Sequence, residues 1–252
     1  MDKVVIFADH NIGYQLVEYL FKNQTNYKVI RIYTNQSNNS WWNRIENNKN
    51  LSHVLQFYDS LKTPNDIQLM DVHYLLLLSW KHIIPETLIK SVRKEVINVH
   101  YSLLPNHRGV YPINNAIMNG DRKTGVTYHV VNKEIDSGDI IAQENIEILW
   151  TDDVDTLLNK LDELAFNLFK KFWPERNKWI KNAIKQENTL TYNSRKNFEL
   201  SNLISIQNHY RAVDLFNIIR SKTFNGKPTA YFVDEQSGEK FSITIKIDKL
   251  EE

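Results

Sequence analysis

The chain has 252 residues, with 31 Lys and Arg against 30 Asp and Glu and a formal net charge of +1; such a balance supplies no broad cationic face for nucleic acid. An apolar share of 42%, a charged share of 24% and a mean hydropathy of -0.47 exclude disordered and collagen-like classes, and the length allows one to two domains. There is no cysteine, which rules out disulfides, thiolate metal ligands and cysteine nucleophiles.

Residues 3–8 form an apolar run that reads as a buried strand. The run is too short for the apolar segment of a secretory leader. The apolar run 74–78, like 4–8 five residues long, falls far below the roughly 20 residues of a membrane span. A cytoplasmic protein is expected. Residues 11–23 place Ile12, Leu16 and Leu20 four apart, which predicts a helix, and 27–33 reads as a second strand. Strand, helix and strand in that order predict a doubly wound α/β sheet. Residues 35–50, rich in Asn, read as a loop in which Trp41 and Trp42 either pack locally or offer a stacking face.

Short strands are expected near 54–57, over 73–78 and over 95–99, with a helix over 85–91 opened by Pro85. A short helix over 112–119 follows, then strands over 124–131 and 140–148. The strongest helical pattern covers 151–172, where Val154, Leu157, Leu158, Leu161, Ala165, Leu168 and Phe172 share one face. Residues 209–222 predict a helix, and 230–233 with 241–247 a hairpin. A tail of about sixty residues buries little core by itself, so it is expected to pack on the main domain or on another subunit.

The chemistry concentrates after the strand at 95–99. Alternate strand residues face the same way, so Asn98 and His100 point together while Val99 turns to the core. Open α/β sheets place ligands at the carboxyl ends of their strands. Asp136 follows the strand at 124–131 in a turn eased by Gly138, and approaches His100 if the two strands are neighbours. An amide, an imidazole and a carboxylate suit acyl transfer to an amine: the imidazole accepts a proton and the amide supports an oxyanion. Two alternatives remain open at this point. One is a hydrolase using Ser102 as nucleophile, although the G-x-S-x-G elbow is missing. The other is a non-catalytic folate- or nucleotide-binding module. No residue set suggests a metal.

Asn98-Val99-His100-Tyr101-Ser102-Leu103-Leu104-Pro105, then Arg108-Gly109, the run 121–127 and Ile135-Asp136-Ser137-Gly138-Asp139-Ile140 together resemble the formyltransferases that use N10-formyltetrahydrofolate. The likeness covers residues 1–175, most strongly 75–145. It implies a Rossmann-like α/β core with a mixed, mainly parallel sheet over 1–185, and a C-terminal helix and β-hairpin region over 186–252 that serves as a dimer interface. It implies Asn98, His100 and Asp136 as the catalytic triad. Folate contacts fall on His82, Ile83, Ile84, Asn132, Lys133, Glu134, Ile135 and Asp136. Substrate contacts fall on Ser79, Trp80, Lys81, Asn106, His107, Arg108, Gly109 and Val110, with Lys81 as a phosphate partner. Trp41, Trp42 and Arg44 are further candidates to hold a nucleotide.

The tail, from Ile219 to Phe232, is similar to that of the sugar N-formyltransferases, although Asn225-Gly226-Lys227 replaces their proline-rich stretch. A single glycine in the run 8–13 argues against the purine-nucleotide members. The short tail and neutral charge argue against the methionyl-tRNA members. The resemblance thus implies a homodimeric enzyme that formylates a dTDP-linked amino-dideoxy sugar for surface polysaccharide. The first expectation is dTDP-4-amino-4,6-dideoxyglucose; a 3-amino-3,6-dideoxyhexose is the second.

Overall fold

The computed structural model describes residues 1–35, 41–187, 192–224 and 227–250, without the side chains of Trp41, Trp42 and Pro228. Its elements are, in order, β1 (Asp2–Ala8), α1 (His10–Lys22), β2 (Tyr27–Thr34), α2 (Trp41–Glu46), β3 (Leu55–Phe57), α3 (Thr63–Gln68), β4 (Tyr74–Leu78), α4 (Glu86–Ser91), β5 (Glu95–His100) and β6 (Arg108–Gly109). There follow α5 (Pro112–Met118), β7 (Lys123–Val130), β8 (Ile140–Glu147), α6 (Val154–Phe172), α7 (Arg176–Lys181), β9 (Tyr192–Asn193), α8 (Arg195–Leu200), α9 (Ala212–Arg220), β10 (Thr223–Phe224), β11 (Lys227–Pro228), β12 (Tyr231–Val233) and β13 (Lys240–Ser242). No helix among the described residues is long and apolar enough to cross a membrane.

Seven strands make one sheet in the order β3-β2-β1-β4-β5-β7-β8. The pairs from β3 to β5 are parallel, and the sheet is mixed and mostly parallel, as the sequence implied. Strand order reverses between β1 and β4, so the carboxyl ends of these two strands flank the crevice where such sheets hold ligands. The chain divides into two compact units. The first is Met1–His100 with Tyr128–Ala142 and Ala165–Gln186; the second is Tyr101–Thr127 with Gln143–Leu164 and Glu187–Glu252.

In the first unit, Val4–Ala8 of β1 and all of β4 are buried. Continuous apolar strands of this kind are covered on both faces. Ile12, Leu16, Val17 and Leu20 of α1 form its buried face. Phe169 stacks on Trp173 at 5.3 Å, and Tyr128 lies against Phe169 and Phe172. Arg176 is 1% exposed. Its Nη2 donates to Asp2 Oδ2 at 3.1 Å and Asn26 Oδ1 at 3.0 Å, so its buried charge is paired. The expected loop over 35–50 is corrected: α2 occupies part of it, while residues 36–40 lie outside the described residues. The helical face expected on α6 is buried, save that Leu158 is only half-buried.

The second unit includes the tail, whose small core is Ile204, Ile219 and Ala230. Arg220 Nη1 donates to the carbonyls of Leu149, Trp150 and Asp152 at 2.8, 3.1 and 3.1 Å. Asn114 Nδ2 donates to Ser221 O at 2.8 Å. The tail therefore packs on segments outside itself. The hairpin strands β12 and β13 are three residues each, shorter than the alternation suggested. Asn225 and Gly226 lie outside the described residues.

Lys222, 1% exposed, donates from Nζ to Phe198 O at 2.7 Å and Ser201 Oγ at 2.6 Å. Burial pushes its pKa from the usual 10.5 down to about 8. Between those values the folded chain releases a proton that the unfolded chain keeps, so stability rises with pH. Below about 8 both states are charged and the full desolvation penalty stands. A Lys222→Met variant lacks this proton. From pH 8 to 10.5 the wild type is expected to gain ~3 kcal/mol on the variant, read from urea unfolding midpoints. A constant difference would contradict the buried charge.

Candidate active site

β5 ends the site's first wall. Its pleat turns Val99, 7% exposed, into the core and leaves Asn98 and His100 on the other face. The turn after β7 brings the carboxylate. Asp136 has φ +50°, a left-handed conformation that Asp tolerates better than most residues. Gln186 Nε2 holds this turn by donating to Asp136 O at 3.0 Å and Gly138 O at 2.6 Å.

The three side chains meet. His100 Nδ1 lies 3.4 Å from Asp136 Oδ2, and Asn98 Nδ2 lies 3.5 Å from Asp136 Oδ1. All lie in the first unit. His100 and Asp136 are largely shielded, with side chains 7% and 12% exposed, which strengthens any charge interaction between them. With Nδ1 toward the carboxylate, Nε2 is the ring nitrogen on the far side, as a general base requires.

A fourth residue joins them that the sequence reading did not single out. His129 of β7 places Nε2 3.2 Å from Asn98 Nδ2 and 3.5 Å from Asp136 Oδ1. Its Nδ1 is 2.9 Å from Val130 O. Its signal in the sequence was weak: a lone imidazole near the end of β7, seven residues before Asp136. Among the described residues no group of three or more His, Asp or Glu side chains is arranged to hold a metal ion.

Gly138 fixes the turn sterically, because a Cβ there would collide with the Val130 carbonyl oxygen. Gly138→Ala is expected to push the turn, and Asp136 with it, off His100. A displacement near 1 Å costs about 10²-fold in rate. Turnover at saturating substrates, with circular dichroism to show a folded protein, checks this; an alanine variant of wild-type rate would contradict it.

The folate and substrate expectations fall in two places. In the first unit, Ser79 has φ +59° directly after β4. Trp80 packs on Phe7 and Tyr58 at 4.9 and 5.1 Å, so its ring is partly core. Lys81 and His82 are exposed, Ile83 is 79% exposed and Ile84 is buried. His82 stacks on Tyr58, and its Nε2 is 2.8 Å from Asn35 Oδ1. Asn35 Nδ2 in turn donates to Asp9 Oδ2 at 2.9 Å, and Asp9 Oδ1 accepts from His10 N at the start of α1. Burial, then the neighbouring Lys81, lowers the pKa of His82 from its usual value. In the second loop, Asn132 Oδ1 accepts from Glu134 N and Ser137 Oγ, while Lys133 and Glu134 are exposed and Ile135 is 44% exposed.

Residues 106–110 belong to the second unit. There His107 Nε2 is 2.6 Å from Asp121 Oδ2, and Arg108 Nη2 donates to Glu187 O at 3.4 Å. Gly109 has φ +93°, and Val110 N donates to Asn193 O at 3.0 Å. Ser102 is fully buried and its hydroxyl donates to Asn106 O at 2.6 Å. That proton is committed to a carbonyl, so the hydrolase alternative loses its nucleophile. Arg44 Nη1 donates to Asn11 Oδ1 at 3.3 Å and its guanidinium lies over Tyr14; the Trp41 and Trp42 side chains lie outside the described residues.

An amide, an imidazole and a carboxylate at the carboxyl edge of a mostly parallel sheet are the parts that acyl transfer to an amine uses. Residues 2–171 match the formyl transferase family, and residues 197–249 match the N-formyltransferase dimerization C-terminal domain. The chain belongs to the formyl transferase family, whose members are enzymes of formyl transfer from formyl-tetrahydrofolate. A methionyl-tRNA formyltransferase of Mycoplasma capricolum is 35% identical over 158 residues, which is 62% of this chain and 49% of that protein. The chain spans about half the length of the curated relatives it matches. A 4-N formyltransferase from Francisella tularensis superposes with a TM-score of 0.85 at 23% identity over 99% of both chains. An N-formyltransferase from Helicobacter canadensis, in complex with folinic acid and dTDP-3-aminofucose, gives a TM-score of 0.66 at 22% identity over 89% of this chain and 81% of that one. At those identities the likeness is one of fold.

Proposed function

We propose that this chain transfers the formyl group of N10-formyltetrahydrofolate to the amino group of a dTDP-linked amino-dideoxy sugar. The acceptor is dTDP-4-amino-4,6-dideoxyglucose, with a 3-amino-3,6-dideoxyhexose as the second choice, and the product serves surface polysaccharide (O-antigen) synthesis in the cytoplasm. The observation that carries formyl transfer is the meeting of Asn98, His100 and Asp136. The sugar is supported by the tail match and by the fold of the Francisella and Helicobacter proteins. Residues 1–185 act as the catalytic part and 186–252 as the interface of a homodimer. Exposed Leu200, Leu203, Ile206, Phe224 and Phe241 of that tail give such an interface apolar surface.

In this reading the sugar amine attacks the formyl carbon and a C–N bond forms. The carbonyl π pair moves to oxygen, where an Asn98 N–H donates to it. His100 takes the amine proton, and Asp136 stabilises the imidazolium. The tetrahedral centre collapses, the bond to N10 breaks, and His100 returns the proton to N10. The donor is held by His82, Ile83 and Ile84 with residues 132–136, and the sugar nucleotide by Ser79, Trp80 and Lys81. The exposed residues of both loops and the ring of His82, held by Asn35 and Tyr58, suit a heterocycle edge.

The test is a panel of nucleotide-linked amino sugars, with methionyl-tRNA as a further acceptor, incubated with the formyl donor and read by mass spectrometry. One added formyl group on a dTDP-4-amino sugar is expected. Formylation of methionyl-tRNA alone would overturn the sugar assignment; no product from any acceptor would overturn the activity.

A further inference from the structure

We infer that His129 is a positioning residue that sets which way the Asn98 carboxamide points; the inference rests on the formyl-transfer reading above. A carbonyl can only accept, so the 2.9 Å contact between His129 Nδ1 and Val130 O places the ring proton on Nδ1. In the neutral ring, Nε2 is then an acceptor. It faces Asn98 Nδ2 at 3.2 Å and takes one of the two amide N–H groups. The second N–H faces Asp136 Oδ1 at 3.5 Å, the outer limit of hydrogen bonding. An oxyanion takes over that second N–H at little cost.

The contact decides a two-fold choice. Rotating the Asn98 amide by half a turn would set its carbonyl oxygen against the Nε2 lone pair of His129 and against the Asp136 carboxylate. Two acceptors on one side therefore fix Nδ2 on that side. Without His129 only the long contact to Asp136 remains to hold it. The carbonyl oxygen would then compete for the place where negative charge develops, and each molecule in that state would lack its oxyanion donor. The titratable groups facing His129 are Asp136 and His100, the latter with ring centroids 6.5 Å apart. His129 is 2% exposed, which shields the arrangement from solvent.

Two measurements decide it. In the wild-type protein, long-range nitrogen–proton NMR on histidine-labelled enzyme is expected to show His129 as the neutral Nδ1–H tautomer. An Nε2–H tautomer would overturn the proposal, whatever the enzyme's substrate. In kinetics, His129→Leu is expected to lower kcat ~10- to 100-fold with KM for both substrates little changed. His129→Gln, whose amide oxygen can accept from Asn98, is expected to restore most of that loss. Leucine at wild-type kcat, or glutamine as slow as leucine with both folded, would overturn it. Failure of the wild type to formylate any acceptor removes the reaction, and the NMR tautomer then decides the Asn98 geometry by itself.

Discussion

His100→Ala is expected to lower the turnover of formyl transfer ~10²- to 10⁴-fold, the range of a positioned general base. The ring faces Asp136 with Nδ1 at 3.4 Å and is almost wholly shielded from water. It is thus placed to take a proton on its far nitrogen and to have the resulting charge met by a carboxylate. Alanine leaves space for a free imidazole, so added imidazole should restore part of the rate, while alanine alone stays slow at every pH. Substrate KM should change little, because the proton moves only in the transition state. A purified His100→Ala protein with wild-type turnover would remove the base from the mechanism.

Asn98→Ala is expected to cost ~10²- to 10³-fold in kcat, the range for loss of one oxyanion donor. Asn98→Asp separates this from packing. Aspartate keeps the shape but brings a carboxylate beside Asp136 and toward the developing oxyanion. The aspartate variant should be at least as slow as alanine. If shape alone mattered, aspartate would be well tolerated, and steady-state kinetics on both folded variants would show it.

Much of the fold was legible because its parallel strands are buried on both faces and therefore read as plain apolar runs, as in Val4–Ala8 and Tyr74–Leu78. The face of α6 was legible because nineteen residues give the helical period room to repeat. By contrast α2, α3 and α8 have six residues each, and fewer than two turns leave too little period to read. The trio was legible through the alternation on β5 and the glycine after Asp136. His129 was not, because a single imidazole inside a β-branched strand looks like packing until the neighbouring strand is known. Gln186 was out of reach for another reason: it holds Asp136 from fifty residues away in sequence.

The most direct test is a crystal structure of the protein with an amino-sugar nucleotide and a non-transferable analogue of the formyl donor. The account places the sugar amine within hydrogen-bond distance of His100 Nε2, and the analogue's carbonyl oxygen within reach of Asn98 Nδ2. Clear density for both ligands away from Asn98, His100 and Asp136 would contradict it.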